Sequence, residues 1–79
     1  LRDLFEKQKS LCALSGVRII LGVNAGIDHI HPISKGGSEG MGNIQWVDQS
    51  VNDMKGSMLE SDFLELVRKI AEHKFGGAK

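Results

Sequence analysis

Between positions 28 and 56 the chain reads DHIHPISKGGSEGMGNIQWVDQSVNDMKG. Asp28 and His29 stand together at its start, Asn43 lies in the middle, and Asn52 is followed by Lys55 and Gly56. These residue types suit the cleavage of a phosphodiester. That reaction needs a water to lose a proton, the extra charge on phosphorus to be neutralised, and the departing 3′ oxygen to be stabilised. One hard divalent cation meets the second and third needs as a Lewis acid. It prefers oxygen ligands, with waters completing an octahedron. Asp28 offers a charged oxygen and Asn52 a neutral amide oxygen. His29 can take the proton, because a neutral imidazole is a suitable general base. The Asn43 carboxamide carries donors and an acceptor, so it can pin a loop backbone and aim His29. Lys55 can hold a phosphate oxygen, and Lys35 and Arg18 are further cations for a DNA backbone.

Positioning such groups needs rigid elements around them. Ile27 to Ile33 reads as an extended segment, with Ile27, His29, His31 and Ile33 on one face and Asp28 and Ile30 on the other. Pro32 suits an edge or a strand end. Strand alternation sends Asp28 and His29 apart. Both flank one site only where the strand twists strongly or ends. Regular alternation pairs His29 with His31 instead, so His31 stands as a rival base or second ligand, or as a plain strand histidine. Ser34 to Gly42 holds four glycines in a pattern that fits no phosphate-binding loop, and reads as a hairpin connection.

Asn43 to Trp46 is a second short strand. Asp48 is a plausible N-cap for a helix running to about Lys55, with Val51 and Met54 facing inward and Gly56 closing it. Asn52 and Lys55, three residues apart, share a neighbouring face of that helix. Ser57 and Glu60 have capping-box spacing for a last helix. Leu59, Phe63, Leu66, Val67 and Ile70 form a 3.6-residue stripe along it, expected to bury the core and to fray near Gly76 and Gly77. Upstream, residues 2–9 read as an amphipathic helix with Leu1, Leu4 and Phe5 on one side; its basic side is of the kind that also faces DNA. Ser15-Gly16 marks a turn, and Val17 to Val23 reads as a strand or extended arm broken by Gly22, Asn24 and Gly26.

The 79 residues make one domain: a core of residues 27–56 with 1–26 and 57–79 as flanking support. A chain this short buries a modest core, and it begins with Leu; it reads as a piece excised from a longer protein. No apolar run approaches the roughly 20 residues of a membrane span. The one cysteine, Cys12, excludes an internal disulfide framework and points to a reducing compartment. Formal net charge is zero, which does not favour nucleic-acid binding. The distribution says more: residues 1–27 carry a net +2, residues 28–56 a net −2, and residues 57–79 balance. A bound cation would cancel the local −2, so metal and DNA binding are expected to be coupled.

The ordered set Asp28-His29-Ile30, Pro32, Gly36-Gly37, Asn43-Ile44-Gln45 and Asn52 with Lys55-Gly56 resembles the HNH nuclease family. His29 and Asn43 are 14 positions apart and Asn43 and Asn52 are 9, intervals similar to those of the family. The resemblance covers residues 12 to 56. It implies an α+β fold with a ββα-metal motif, a two-stranded antiparallel hairpin plus helix braced by N- and C-terminal helices. It implies a DNA endonuclease or nicking module that leaves 5′-phosphate and 3′-hydroxyl ends. His29 then corresponds to the general base and Asn43 to the residue that structures the loop and orients it. Asp28 and Asn52 correspond to ligands of a single divalent metal, typically Mg²⁺, with Mn²⁺ as a substitute. The implied partner is DNA, with further domains of a parent protein or a second copy to help targeting. The implied setting is the cytoplasm of a bacterial or phage-infected cell. The alternative is a non-catalytic DNA-binding or protein-interaction module that keeps the fold.

The chain departs from the family's zinc-bearing members. Cys12 begins a Cys-x-x-Cys knuckle, but Ser15 takes its second place, and Asp48 and Val51 take the places of the other pair. No structural zinc is expected. Packing around Leu11, Leu14, Ile44, Trp46, Val51 and Phe63 must substitute, with Trp46 read as a core residue rather than a base-stacking one.

Overall fold

The computed structural model describes residues 1–76. Its elements run α1 (Arg2–Lys7), β1 (Ala25–His29), β2 (Ile44–Asp48), α2 (Gln49–Lys55) and α3 (Glu60–Phe75), with short 3₁₀ turns at Ile33–Lys35 and Met41–Asn43 between the strands. This is a small α+β fold built on one antiparallel hairpin, in which Ala25 pairs with Asp48, Ile27 with Trp46, Asp28 with Gln45 and His29 with Ile44.

Why α2 starts where it does is clear from its cap. Asp48 is extended, and its Oδ1 accepts from the Ser50 N–H at 2.8 Å, satisfying an orphan donor of the first turn. Its Oδ2 accepts from Asn24 Nδ2 at 3.1 Å, while the Asn24 carbonyl accepts from the Gln49 N–H at 2.7 Å. Asn24 therefore ties the entry of β1 to the start of α2. Gly26 lets α2 settle on β1: a Cβ there would collide with the Gln49 side chain, and Asn52 lies just beyond.

The segment Val17 to Val23, expected as a strand or an extended arm, forms no strand. It makes only an isolated bridge, Leu11 with Arg18, before turning at residues 21–24. Ile20 spends its carbonyl on the amides of Val23 and Asn24 rather than on a partner strand. The turn at Ser15-Gly16 does form, closed by Gly16 N–H to the Cys12 carbonyl at 2.9 Å, with Gly16 at φ +75°.

Cys12, Ile19 and Val47 form the core, with Phe5, Leu14, Ala25, Trp46 and Val51 packed against it. Trp46 lies edge-on to Phe5 at 5.5 Å, and its Nε1 donates to the Leu1 carbonyl at 3.0 Å. A half-buried indole packed on the core with its N–H satisfied is a packing residue. Gln8 doubles as a strand edge: its Oε1 accepts from Trp46 N–H and its Nε2 donates to the Trp46 carbonyl, both at 2.9 Å. Burial pushes the Cys12 thiol up, but hydrogen bonding from Ser15 and from the backbone of Asp48, Ser15 and Leu14 outweighs it, and the net shift is downward.

Three expectations about packing are corrected. Leu11 is exposed and Ile44 only half-buried, so Ile19 and Val47 take their place in the core. Met54 is 63% exposed, although Val51 one turn earlier is packed. The α3 stripe does not close the core. Only Phe63 is buried; Leu66 and Ile70 are 46% and 51% exposed, because the body ends before the helix does. The Ser57–Glu60 capping box is absent as well. Leu59 is the N-cap without a side-chain bond, and Glu60 turns to Gln45 instead. Gly76 closes α3 in the left-handed conformation; Gly77 lies outside the described residues.

Candidate functional site

The hairpin presents two faces. Gly26 and Asp28 are buried, whereas Ala25, Ile27 and His29 on the alternate positions are half-buried. Asp28 therefore faces α2 and His29 the other side, as alternation requires. β1 ends at His29, so the regular pairing of His29 with His31 on one strand face does not arise.

Asp28 is 4% exposed, and both its oxygens are engaged. Oδ1 accepts from Lys55 Nζ at 3.0 Å, and Oδ2 accepts from Gln45 Nε2 at 2.8 Å. Lys55 is 1% exposed, and its ammonium also donates to the His29 carbonyl at 2.9 Å and the Ile30 carbonyl at 3.4 Å. The expected phosphate contact of Lys55 is thus corrected. A buried ammonium must be compensated where it lies, and Asp28 with two carbonyls does so. Lys55 ties the C-terminal turn of α2 to the end of β1, and it holds both members of the Asp28-His29 pair from one point.

The Asn43 carboxamide pins the loop backbone. Its Oδ1 accepts from the His31 N–H at 2.8 Å, and its Nδ2 donates to the His31 carbonyl at 3.0 Å and the Ser38 carbonyl at 2.6 Å. Its own carbonyl accepts from the Ile30 N–H at 2.8 Å. One side chain thus fixes the backbone that follows His29. The glycine pair completes the loop. Gly36 sits at φ +91°, and a Cβ on Gly37 would run into the His31 carbonyl. His31 is on the exposed loop with its Nε2 against the Lys35 carbonyl at 2.8 Å, a loop-stabilising contact.

Asn52 is half-buried on α2, and its Nδ2 donates to the Ile27 carbonyl at 3.3 Å. Its Oδ1 has no hydrogen-bond partner among the described residues, and neither does the His29 ring. Lys35 is exposed and donates from Nζ to the Ser57 carbonyl at 2.8 Å, so it straps the loop to the chain after α2. Arg18 is exposed at the isolated bridge.

Two residues near Asp28 were not foreseen. Gln45 stands opposite Asp28 in the hairpin register, and its Nε2 donates to Glu60 Oε1 as well, at 2.8 Å. One amide nitrogen therefore bridges two carboxylates, Asp28 from β1 and Glu60 from α3. Counting forward from Asn43 along β2, with Ile44 opposite His29, would have located Gln45; nothing in the sequence pointed to Glu60.

The donor chemistry fits a hard divalent cation in kind. Each Asp28 oxygen accepts one hydrogen bond and keeps a lone pair, and the Asn52 carbonyl oxygen is unengaged. A cation there would have to share the carboxylate with the Lys55 ammonium. No group of three or more His, Cys, Asp or Glu residues is arranged to hold a metal among the described residues. Among the same residues, no helix is long and apolar enough to cross a membrane. No protein-family model matches the chain, and no curated protein matches it.

Proposed function

We propose that the chain is an HNH-type, metal-dependent DNA endonuclease or nicking module. The observation that carries the reading is the Asn43 clamp. An asparagine at the head of β2 holds both backbone groups of His31, two residues after His29, on a hairpin followed directly by a helix that bears Asn52. That is the ββα order the HNH resemblance implies.

In this reading His29 removes the proton from the attacking water, with a half-buried ring at the end of β1 and no competing partner among the described residues. Asn43 keeps the backbone beyond it from shifting. Asp28 and Asn52 would hold the cation, Mg²⁺ by preference or Mn²⁺; when bound it supplies Lewis-acid stabilisation of the charge on phosphorus. Lys55 fixes Asp28 rather than touching substrate. The exposed Lys35 and Arg18 are left to meet the DNA backbone. With so few clustered cations, binding is weak, salt-sensitive and of low specificity, and targeting comes from a second copy or further domains. The products carry 5′-phosphate and 3′-hydroxyl ends, and the setting is a bacterial or phage-infected cytoplasm.

The test is nicking of supercoiled plasmid with Mg²⁺ or Mn²⁺, comparing the parent chain with His29→Ala. Loss of cleavage in the variant, with an unchanged fold, supports the proposal; equal cleavage removes His29 from its role.

One observation favours the alternative, a non-catalytic DNA-binding or protein-interaction module of the same fold. The Lys55–Asp28 pair already neutralises the carboxylate. Calorimetry separates the two readings: no heat on adding divalent cation, with no cleavage, belongs to the non-catalytic module.

A further inference from the structure

Both oxygens of Asp28 are held, each from a different element. Lys55 Nζ on α2 donates to Oδ1 at 3.0 Å, and Gln45 Nε2 on β2 donates to Oδ2 at 2.8 Å. The carboxylate needs both. Its χ2 is a torsion onto an sp² centre with a broad energy profile, so hydrogen bonds rather than a rotamer well set its plane. Held by Lys55 alone, the group can pivot about one bond. The Gln45 amide has the same softness at χ3, so it too needs an anchor. Glu60 supplies it: Gln45 Nε2 donates to Glu60 Oε1 at 2.8 Å. Each proton of that nitrogen then meets a carboxylate, and such charge-assisted bonds are the strong ones. Turned over, the amide would set its oxygen against both carboxylates, so its orientation is fixed. Gln45 and Glu60 are half-buried, and Phe63, buried one turn after Glu60, seats the start of α3.

We propose that Gln45 and Glu60 are positioning residues for Asp28, an inference that rests on reading Asp28 as a cation ligand. Glu60 orients the Gln45 amide, and the amide fixes the plane of the Asp28 carboxylate and so the directions of its free lone pairs. Neither residue touches cation or substrate; Glu60 acts through Gln45, and Gln45 through Asp28. α3 thereby belongs to the site and is more than a brace for the hairpin. Groups that hydrogen-bond a metal-ligating carboxylate typically change metal affinity by about 10- to 100-fold when removed.

Calorimetric titration of the 79-residue chain with Mn²⁺ tests this, with variants at Glu60 and Gln45 beside the parent. Glu60→Ala, still folded by circular dichroism, should bind Mn²⁺ about tenfold more weakly. Glu60→Gln keeps an acceptor oxygen for the Gln45 amide and should bind like the parent, although its charge is gone. In a Gln45→Leu background, Glu60→Ala should have no further effect, because its path to Asp28 is missing. Without metal, the Gln45 side-chain amide protons of a ¹⁵N-labelled chain should exchange with water faster in Glu60→Ala than in the parent. Equal Mn²⁺ affinity in the parent and Glu60→Ala, or Gln45 protons indifferent to that change, overturns the proposal and leaves the nuclease reading intact. Binding weakened as much by Glu60→Gln as by Glu60→Ala assigns the effect to charge and overturns it too. A parent that binds no Mn²⁺ sinks the nuclease reading itself, and the positioning role with it.

Discussion

Lys55 Nζ lies 3.0 Å from Asp28 Oδ1, and neither side chain reaches solvent to any extent. This pair joins α2 to β1 at the point where the candidate site begins. The energetics of such pairs are asymmetric. Forming one barely repays desolvation, but removing one partner strands a buried charge. Lys55→Met should therefore lower stability by roughly 3 kcal/mol or more. Urea denaturation measures it. A surface lysine that only touches DNA would leave the midpoint unmoved.

On the proposed reading, the same pair limits the affinity of Asp28 for a cation. With Lys55 present, a divalent ion would have to compete with an ammonium for one carboxylate. In a Lys55→Met chain that still folds, Asp28 has no ammonium partner, and Mg²⁺ or Mn²⁺ should raise the melting temperature by more than it does in the parent. An equal shift in both chains would show that the ion binds away from Asp28.

The Asn43 clamp should be separable from overall stability. Asn43→Asp keeps an acceptor for the His31 N–H but loses the donations to the His31 and Ser38 carbonyls. At about 1 kcal/mol per hydrogen bond, the loss is about 2 kcal/mol. It should appear as faster hydrogen exchange at residues 30–38, with α3 unaffected.

Gly37 is a backbone requirement of the same loop. A Cβ would strike the His31 carbonyl, which is backbone and cannot swing aside. Gly37→Ala should destabilise the loop and reduce any cleavage. Gly42, whose Cβ would meet nothing within 4 Å, serves as the control: Gly42→Ala should be tolerated.

Acid should loosen α3 through an exposed contact. The Glu65 carboxyl is held below its ordinary value chiefly by hydrogen bonding to Arg68. A carboxyl with a lowered folded-state value stabilises above its unfolded value of 4.5 and loses that contribution as pH falls through the lower one. Helicity at 222 nm should fall slightly below pH 4.5 in the parent and less in Glu65→Gln. Being exposed, the pair makes a small contribution.

The centre of the fold was readable because its signals are local. Asp48 is a cap, Gly56 a stop, and the segment between them has helical spacing; α2 appears with those bounds. The Asn43 clamp was readable for the same reason, since it acts on the adjoining loop. The roles of Lys55 and Glu60 were not. Lys55 looks like any cation at a helix end until α2 is laid on β1, which swings its ammonium inward. Glu60 has capping spacing, and only the tertiary approach of α3 to Gln45 redirects it. The α3 stripe misled for a related reason: periodicity shows that a face is apolar, not that this chain covers it. Val17 to Val23 has strand composition but no partner edge, because the hairpin is made by residues 25–29 and 44–48.

On the proposed reading, His29, at the end of β1 and followed by the Asn43-clamped loop, removes a proton during cleavage of DNA. Supercoiled plasmid incubated with the chain and Mg²⁺ or Mn²⁺ reads this out. Nicked product should accumulate, and His29→Ala should slow it roughly 100-fold or more while its melting temperature stays near the parent's. Undiminished nicking by a folded His29→Ala chain, or none by the parent with either metal, would remove His29 from that role.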